Sequence, residues 1–371
     1  SRGLGDVYKR QYQARQLGLV FNAALGVIMS LFLSLGAGTI LSGVGVADAL
    51  MQPAKTYLQI VGGFCILNAL IPICSSYLRA FGFSKEPLYA SIIGNVINFC
   101  LNAFFLFVLH KGVAGVATAT VISRIINLVI VVLLGAVLVK AKQHPERESN
   151  RAVMGQIIRI GLPSACETAI YNVSMTLVIR FLNQMDAQGL NVTARSYTMQ
   201  ITNFSYCVGA ALAQANAIMT GWHIGAKEYD ACDRGTKKAA VIGVIVAVIL
   251  ETVFTLCSGW IMQLFSKDPQ MVSLVGKLLA IDIVLEIGRV TNLVYGQALK
   301  TSGDAVFPVV MGACFMILCS VGGTYLFGIR LGLLAVGAYI GMTGDECVRA
   351  VGMYLRWKSG KWKEKGLVKS R

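Results

Sequence analysis

Three groups of ionisable residues lie inside apolar runs long enough to cross a bilayer, where a charge is costly and marks a candidate for ion handling. Glu167 falls in the run 153–182, one turn after Pro163, with no base near it in sequence. Asp282, Glu286 and Arg289 fall in 272–299, and Asp345, Glu346 and Arg349 in 332–355. On a helix the spacings 282/286 and 286/289 put one trio on a single face, and the other trio on adjoining faces. A lone carboxyl such as Glu167 can carry a proton or hold sodium, and the nearby proline frees a carbonyl and can admit water. Asp282 and Glu286 are the further cation-coupling candidates. Arg289, Asp345, Glu346 and Arg349 form the charge network around them. The trios read equally as self-neutralising locks, Glu286 with Arg289 and Asp345 with Arg349, that carry nothing.

Uncharged polar residues form stripes of their own. Asn95, Asn98 and Asn102 are spaced i, i+3, i+7, with Arg124 and Asn127 on the next run. Such a stripe lines a wet cavity or hydrogen-bonds between helices. Tyr171, Asn203 and Tyr206 complete the candidate cavity lining. Glu251 stands alone in 239–265 and receives no role.

These residues need helices to position them, and the composition supplies little else. Of 371 residues, 56% are hydrophobic and 14% charged, with a mean hydropathy of +0.66. No water-soluble core requires that, and several spans of about 20 residues do. The expected fold is an all-α polytopic membrane protein with about ten transmembrane helices. They are read at 16–41, 57–81, 87–109, 113–139, 153–182, 194–221, 239–265, 272–299, 307–327 and 332–355. Ser42–Ala54 reads as a loop, and Pro72 as a kink.

One stretch occurs twice. Leu78-Arg79-Ala80-Phe81-Gly82 with Pro87 and Leu299-Lys300-Thr301-Ser302-Gly303 with Pro308 share base, glycine and proline at one spacing. The base closes the negative end of one helix, glycine turns the chain, and proline opens the next helix. The offset of 221 (78 to 299) also maps Arg15-Gln16 onto Thr236-Lys237, and Gly115 to within one residue of Gly337. Four early helices thus have four late counterparts, as in transporters built from internal repeats. The helices at 153–182 and 194–221 have none, so the chain reads as twice six helices lacking the first two. Ser1–Gln11 resembles a translated sequencing adapter and is expected to be a non-native leader.

The expected organisation is a leader (1–11), an incomplete N-lobe of four helices (12–140), a polar linker (141–152), a C-lobe of six helices (153–356) and a basic tail (357–371). The net charge of +15 suggests nucleic acid until the bases are located. They crowd the loops of one side, leaving only Lys55, Lys111, Arg195, Lys267 and Arg330 opposite. By the positive-inside rule the rich side, with linker and tail, is cytoplasmic. The tail, with Trp357 and Trp362, is expected to anchor at the interface.

Ten cysteines show no CxxC and histidine is scarce, so no metal site is expected. No HExxH or nucleophile–base spacing points to an enzyme. Asn191-Val192-Thr193 spells a glycosylation sequon without a secretory context. Gly221–Gly225 lacks the lysine of a phosphate loop.

The order and spacing of several motifs resemble the MATE (multidrug and toxic compound extrusion) transporters, of the kind common in Firmicutes. The residues that carry this are Leu78–Gly82 with Pro87, Gly94-Asn95-Val96-Ile97-Asn98 and Gly112–Thr120. Gly161-Leu162-Pro163, Ile224–Lys227, Glu286-Ile287-Gly288-Arg289 with Asn292, and Leu299 with Gly303-Asp304 extend it. The resemblance implies twelve helices in two six-helix lobes around a central cavity. It also implies export of cationic, amphipathic compounds against inward protons or sodium by alternating access, the lobes rocking about the linker. The family's seventh-helix carboxylate corresponds to Glu167, displaced by about a turn relative to Pro163. Near the tenth-helix acid stands Arg289, with Glu286 a turn away. The expected partners are the lipid bilayer and small organic cations, with no nucleic acid, no cofactor beyond H+ or Na+, and a monomeric state. The alternative is a lipid-linked oligosaccharide flippase, which needs Arg124, Arg180 and Arg289 gathered as a cationic cradle for a diphosphate.

Overall fold

A computed structural model describes residues 2–44, 48–139, 150–185 and 189–365. The polar linker with Lys140, Lys142, Glu146, Arg147 and Glu148, and the tail beyond Lys365, lie outside the described residues. All regular structure among the described residues is helical. The chain divides into two compact units, Ser1–Ile157 and Ile158–Arg371.

The first unit contains α1 (Arg2–Leu35), α2 (Ala37–Val44), α3 (Asp48–Tyr57), α4 (Ile66–Ala80), α5 (Lys85–Ala103) and α6 (Gly112–Leu138). Two expectations change here. The stretch read as the loop Ser42–Ala54 is helical from Asp48 onward, and Pro53 sits inside α3. The bend of 41° separates Met51–Gly62 from Ile66–Ala80, so it precedes Pro72. A π-helical turn at Leu58–Gly62 produces it, because a wide turn leaves the i→i−4 ladder out of step. Pro72 lies within an unbroken α4. Cys74, Leu78, Ala90 and Val131 make the buried core where α4, α5 and α6 meet.

The second unit contains α7 (Asn150–Met185, from Ile158), α8 (Leu190–Gly225), α9 (Tyr229–Leu256), α10 (Ser258–Met262), α11 (Pro269–Thr301), α12 (Val306–Phe315) and α13 (Leu334–Lys358). The span begun by α12 continues through π-helical turns to Arg330. A short 3-10 turn, Lys361–Lys365, follows α13. Helix α11 is the axis of this unit, packed by α8, α9 and α13. Asp268 caps it by accepting from the Gln270 N–H at 3.0 Å, with Pro269 in the first turn, as a helix start requires.

The duplication is visible atom by atom. Phe83 N–H donates to Leu78 O and Gly82 N–H to Arg79 O; Asp304 N–H donates to Leu299 O and Gly303 N–H to Lys300 O. These are the same helix-ending turn, closed by glycines at φ +89 and +94, a backbone region that side chains avoid. Further on the register shifts by one. Lys111 N–H donates to Phe105 O and Leu333 N–H to Phe327 O, after a π-helical stretch in each copy. The pairings repeat too: α4 packs against α1 and α6 as α11 packs against α9 and α13.

Among the described residues, five helices are long and apolar enough to span a membrane, or six with the bent pair as one. Helices α11 and α13 miss that test because of the acids and arginines they carry. Large apolar side chains face outward on both units, such as Phe107, Leu133, Leu256 and Leu318. A protein surrounded by water does not expose so much. The chain is a multi-pass helical membrane protein.

Candidate functional site: a buried carboxylate network

The ionisable residues of the second unit converge on α11 and α13. Asp282, Glu286 and Arg289 lie on one side of α11, as their spacing requires, with Glu286 completely buried and bonded to the Arg289 guanidinium. On α13, Arg349 grips Asp345 with two hydrogen bonds, Nε to Oδ1 at 2.8 Å and Nη2 to Oδ2 at 2.9 Å. Glu346 joins the helices. Its Oε1 sits 2.9 Å from Arg349 Nη2 and 3.7 Å from Arg289 Nε, and its Oε2 accepts from Asn292 Nδ2 at 3.0 Å. Ser320, beyond α12, donates to Asp345 Oδ2 at 2.9 Å. Both locks read from the sequence are formed, and Glu346 fuses them into one network.

Glu167 is not a lone carboxyl. Lys300 Nζ stands 2.6 Å from its Oε2, both side chains being 18% exposed. Lys300 is the base of the second repeated turn, distant in sequence, so reading neighbours along the chain missed it. Gly312 on α12 lies against the Glu167 side chain, leaving it room. One turn along α7, Tyr171 comes within electrostatic reach of Arg289, whose guanidinium lies 6.0 Å above the Tyr206 ring. Glu167 on α7 thus meets α11 through Lys300, and Glu346 joins α11 to α13.

Glu251 joins from α9. Gly243 offers no side chain, and the Val290 methyl occupies the space its Cβ would take. That contact sets the register of α9 against α11, which a short connection makes antiparallel. Counting two turns from Gly243 and two back from Val290 places Glu251 opposite Asp282. Glu251 is 0% exposed and Asp282 2%. Both Glu251 oxygens, Asp282 Oδ2 and Glu286 Oε2 lack a hydrogen-bond partner among the described residues. Glu167, Glu251, Asp282, Glu286, Asp345 and Glu346 stand against Arg289, Arg349, Lys300 and the buried Arg195 of α8, six carboxyls to four bases.

The other candidates are placed differently. Asn98 donates to Ser123 on α6 at 3.3 Å and so ties α5 to its neighbour, while Asn102 donates to Asn98 at 3.0 Å within α5. Asn95 and Asn203 are exposed on their own units, as are Tyr171 and Tyr206. Arg195, counted among loop bases, is buried in α8 with Met175 Sδ at 3.6 Å. Arg289 is taken up by two carboxylates, so its charge is spent. Asn191 is 2% exposed and accepts from the Ala335 N–H at 3.1 Å. It is a packing residue, and the sequon has no accessible acceptor. None of the ten cysteines, all among the described residues, is joined in a disulfide.

A family model described as MatE matches residues 6–104 and 163–326. The chain belongs to the MatE family. Among curated relatives, the "Uncharacterized transporter YisQ" of Bacillus subtilis (strain 168) is 32% identical over 375 residues, covering 99% of this chain and 82% of that protein. The "Probable multidrug resistance protein NorM" of Thermotoga maritima is 22% identical over 362 residues, 91% of this chain and 76% of the relative. The fold matches an outward-facing multidrug resistance MATE family transporter at a TM-score of 0.84 and 17% identity, covering 98% and 84% of the two chains. It also matches the eukaryotic MATE transporter AtDTX14 at 0.84 and 18%, covering 98% and 81%. The carboxylate network is how this member of the family furnishes its second unit.

Proposed function

We propose that this MatE-family chain is a secondary transporter of the cell membrane, exporting cationic, amphipathic compounds in exchange for inward-moving protons or sodium. The carrying observation is the buried excess of carboxyls over bases, with unpartnered oxygens on Glu251, Asp282 and Glu286. Several ionised acids cannot remain unbalanced out of water, so the network takes up cations to be stable. A proton, a sodium ion and an organic cation all answer that need, and their competition is antiport.

Glu167 is the coupling group in this reading. When its charge is cancelled by a proton or sodium, its hold on Lys300 loosens, which frees α7 from the end of α11. Asp282 and Glu286 take up the second share of cation, while Asp345–Arg349 keeps α13 fixed. By the positive-inside rule the basic loops and tail face the cytoplasm. The protein acts as a monomer and needs no cofactor beyond the coupling ion.

The test is ethidium efflux from cells lacking their own exporters, in sodium-free and sodium-containing buffer. Glu167→Gln and Asp282→Asn should each reduce efflux at least tenfold and flatten its dependence on the ion gradient. Unchanged efflux and ion dependence in both variants would refute the assignment.

A further inference from the structure

At the end of the second unit richest in bases, the chain closes a pocket that the carboxylate network does not use. Trp362, in the turn after α13, is 2% exposed and stacks on Trp357, with ring centroids 4.1 Å apart and planes at 9°. Its indole N–H donates to Trp357 O at 2.9 Å, and that of Trp357 to Asp233 Oδ1 on α9 at 2.7 Å. Folding back this way, the turn covers a cavity of about 240 Å³ between the ends of α9, α11 and α13. Tyr295 and Tyr354 meet edge to face at 5.6 Å along one wall.

The rim is cationic. Lys237, Lys358 and Lys363 all line the cavity, and no ion pair holds any of them among the described residues. Asp233, its acid, is engaged by the Trp357 indole. Lys363 also borders a second recess of mixed charge, lined by Lys227 and Arg234 together with Glu228 and Asp230. Three ammonium groups against the single Asp233 carboxylate, with Lys363 lying 5.7 Å over the Trp362 ring, set a net positive potential that repels organic cations and attracts anions. Tryptophan, tyrosine and lysine at helix ends mark the level of the lipid headgroups. An aromatic floor under a lysine rim suits a ligand with an apolar body and a phosphate. Basic pockets between helix ends hold such headgroups.

We propose that this pocket binds the phosphate of an anionic phospholipid headgroup, seating the tail turn and tying α9 to α13. The site is separate from the carboxylate network and opposite to it in sign.

The test uses the whole chain in detergent with Trp222→Phe and Trp260→Phe, so that emission comes from Trp357 and Trp362 alone. Short-chain phosphatidylglycerol, short-chain phosphatidylcholine and inorganic phosphate are each titrated. The expected result is a saturable emission change with phosphatidylglycerol, at least tenfold weaker with phosphatidylcholine. Lys237→Gln, Lys358→Gln and Lys363→Gln combined should weaken it at least tenfold; these side chains are exposed, so the fold survives the change. Equal response to both lipids, no saturable response, or equal affinity in the lysine variant overturns the proposal. A response to inorganic phosphate as tight as to phosphatidylglycerol overturns the lipid as the ligand.

Discussion

Glu167 and Lys300 meet at 2.6 Å although one lies on α7 and the other closes α11. The pair joins the residue favoured for ion coupling to the base of the repeated turn. Its first-copy equivalent, Arg79, instead donates to Ser76 Oγ at 3.2 Å. The turn recurs in both copies, and in the second its base pairs with a carboxylate. Because the pair is partly exposed, its coupling energy is expected to be about 1–2 kcal/mol. A double-mutant cycle with Glu167→Gln and Lys300→Met, read by thermal unfolding in detergent, measures it. Strictly additive effects would mean the contact holds nothing together.

Arg349 is in a stricter position. It is 4% exposed and bonds Asp345 through two nitrogens while one of them also reaches Glu346. Arg349→Met strands two carboxylates, at an expected cost of about 3–5 kcal/mol. Arg349→Lys should recover less than half, because an ammonium cannot reproduce the planar two-pronged grip. Chemical unfolding of the purified variants ranks them. A lysine variant as stable as the parent would show that charge alone matters there.

How much of this was legible in the sequence follows from the range of each signal. Helix periodicity is local, so the trios on α11 and α13 fell on the expected faces, and both locks formed. The repeated turn is also local, and its hydrogen bonds match residue for residue. Pairs between helices are not local. Nothing near Glu167 announces Lys300, and Glu251 looked isolated because its register against Asp282 is set by Gly243 and Val290. The bend shows a different limit. Proline is a visible breaker, yet Pro72 stays within an unbroken α4 while the π turn at Leu58–Gly62, running into the Gly62-Gly63 pair, leads into the bend. The asparagine stripe could serve packing or a cavity, and only the Ser123 contact separates Asn98 and Asn102 from Asn95.

The two copies give a matched stability test. Gly115 and Gly337 follow equivalent hairpins, but the side chain each lacks would meet different neighbours. At Gly115 these are the Phe105 and Lys111 side chains; at Gly337 they are the backbone of Phe327 and Gly328. The atoms met at Gly115 are Cβ atoms, fixed to their backbone, so both changes force the backbone to shift; the approach is closer at Gly337, so Gly337→Ala should cost about 2–3 kcal/mol and Gly115→Ala somewhat less. Melting temperatures of the two single variants decide it. The reverse order would mean that the second unit yields where the first does not.

Glu251 gives the sharpest separation of stability from function. A carboxyl that is completely buried opposite Asp282, with the Ser205 hydroxyl beside it and no other hydrogen-bonding side chain among the described residues, contributes nothing to packing that glutamine cannot supply. Glu251→Gln keeps the volume and removes the possibility of a second negative charge in that interface. Stability should therefore stay equal or rise by about 1–3 kcal/mol, unlike Arg349→Met, where charges are stranded. If the residue belongs to the cation-handling network, the same variant should lose ion-driven efflux while melting no lower than the parent. A destabilised Glu251→Gln would show instead that its carboxyl is held by a bond the buried interface needs.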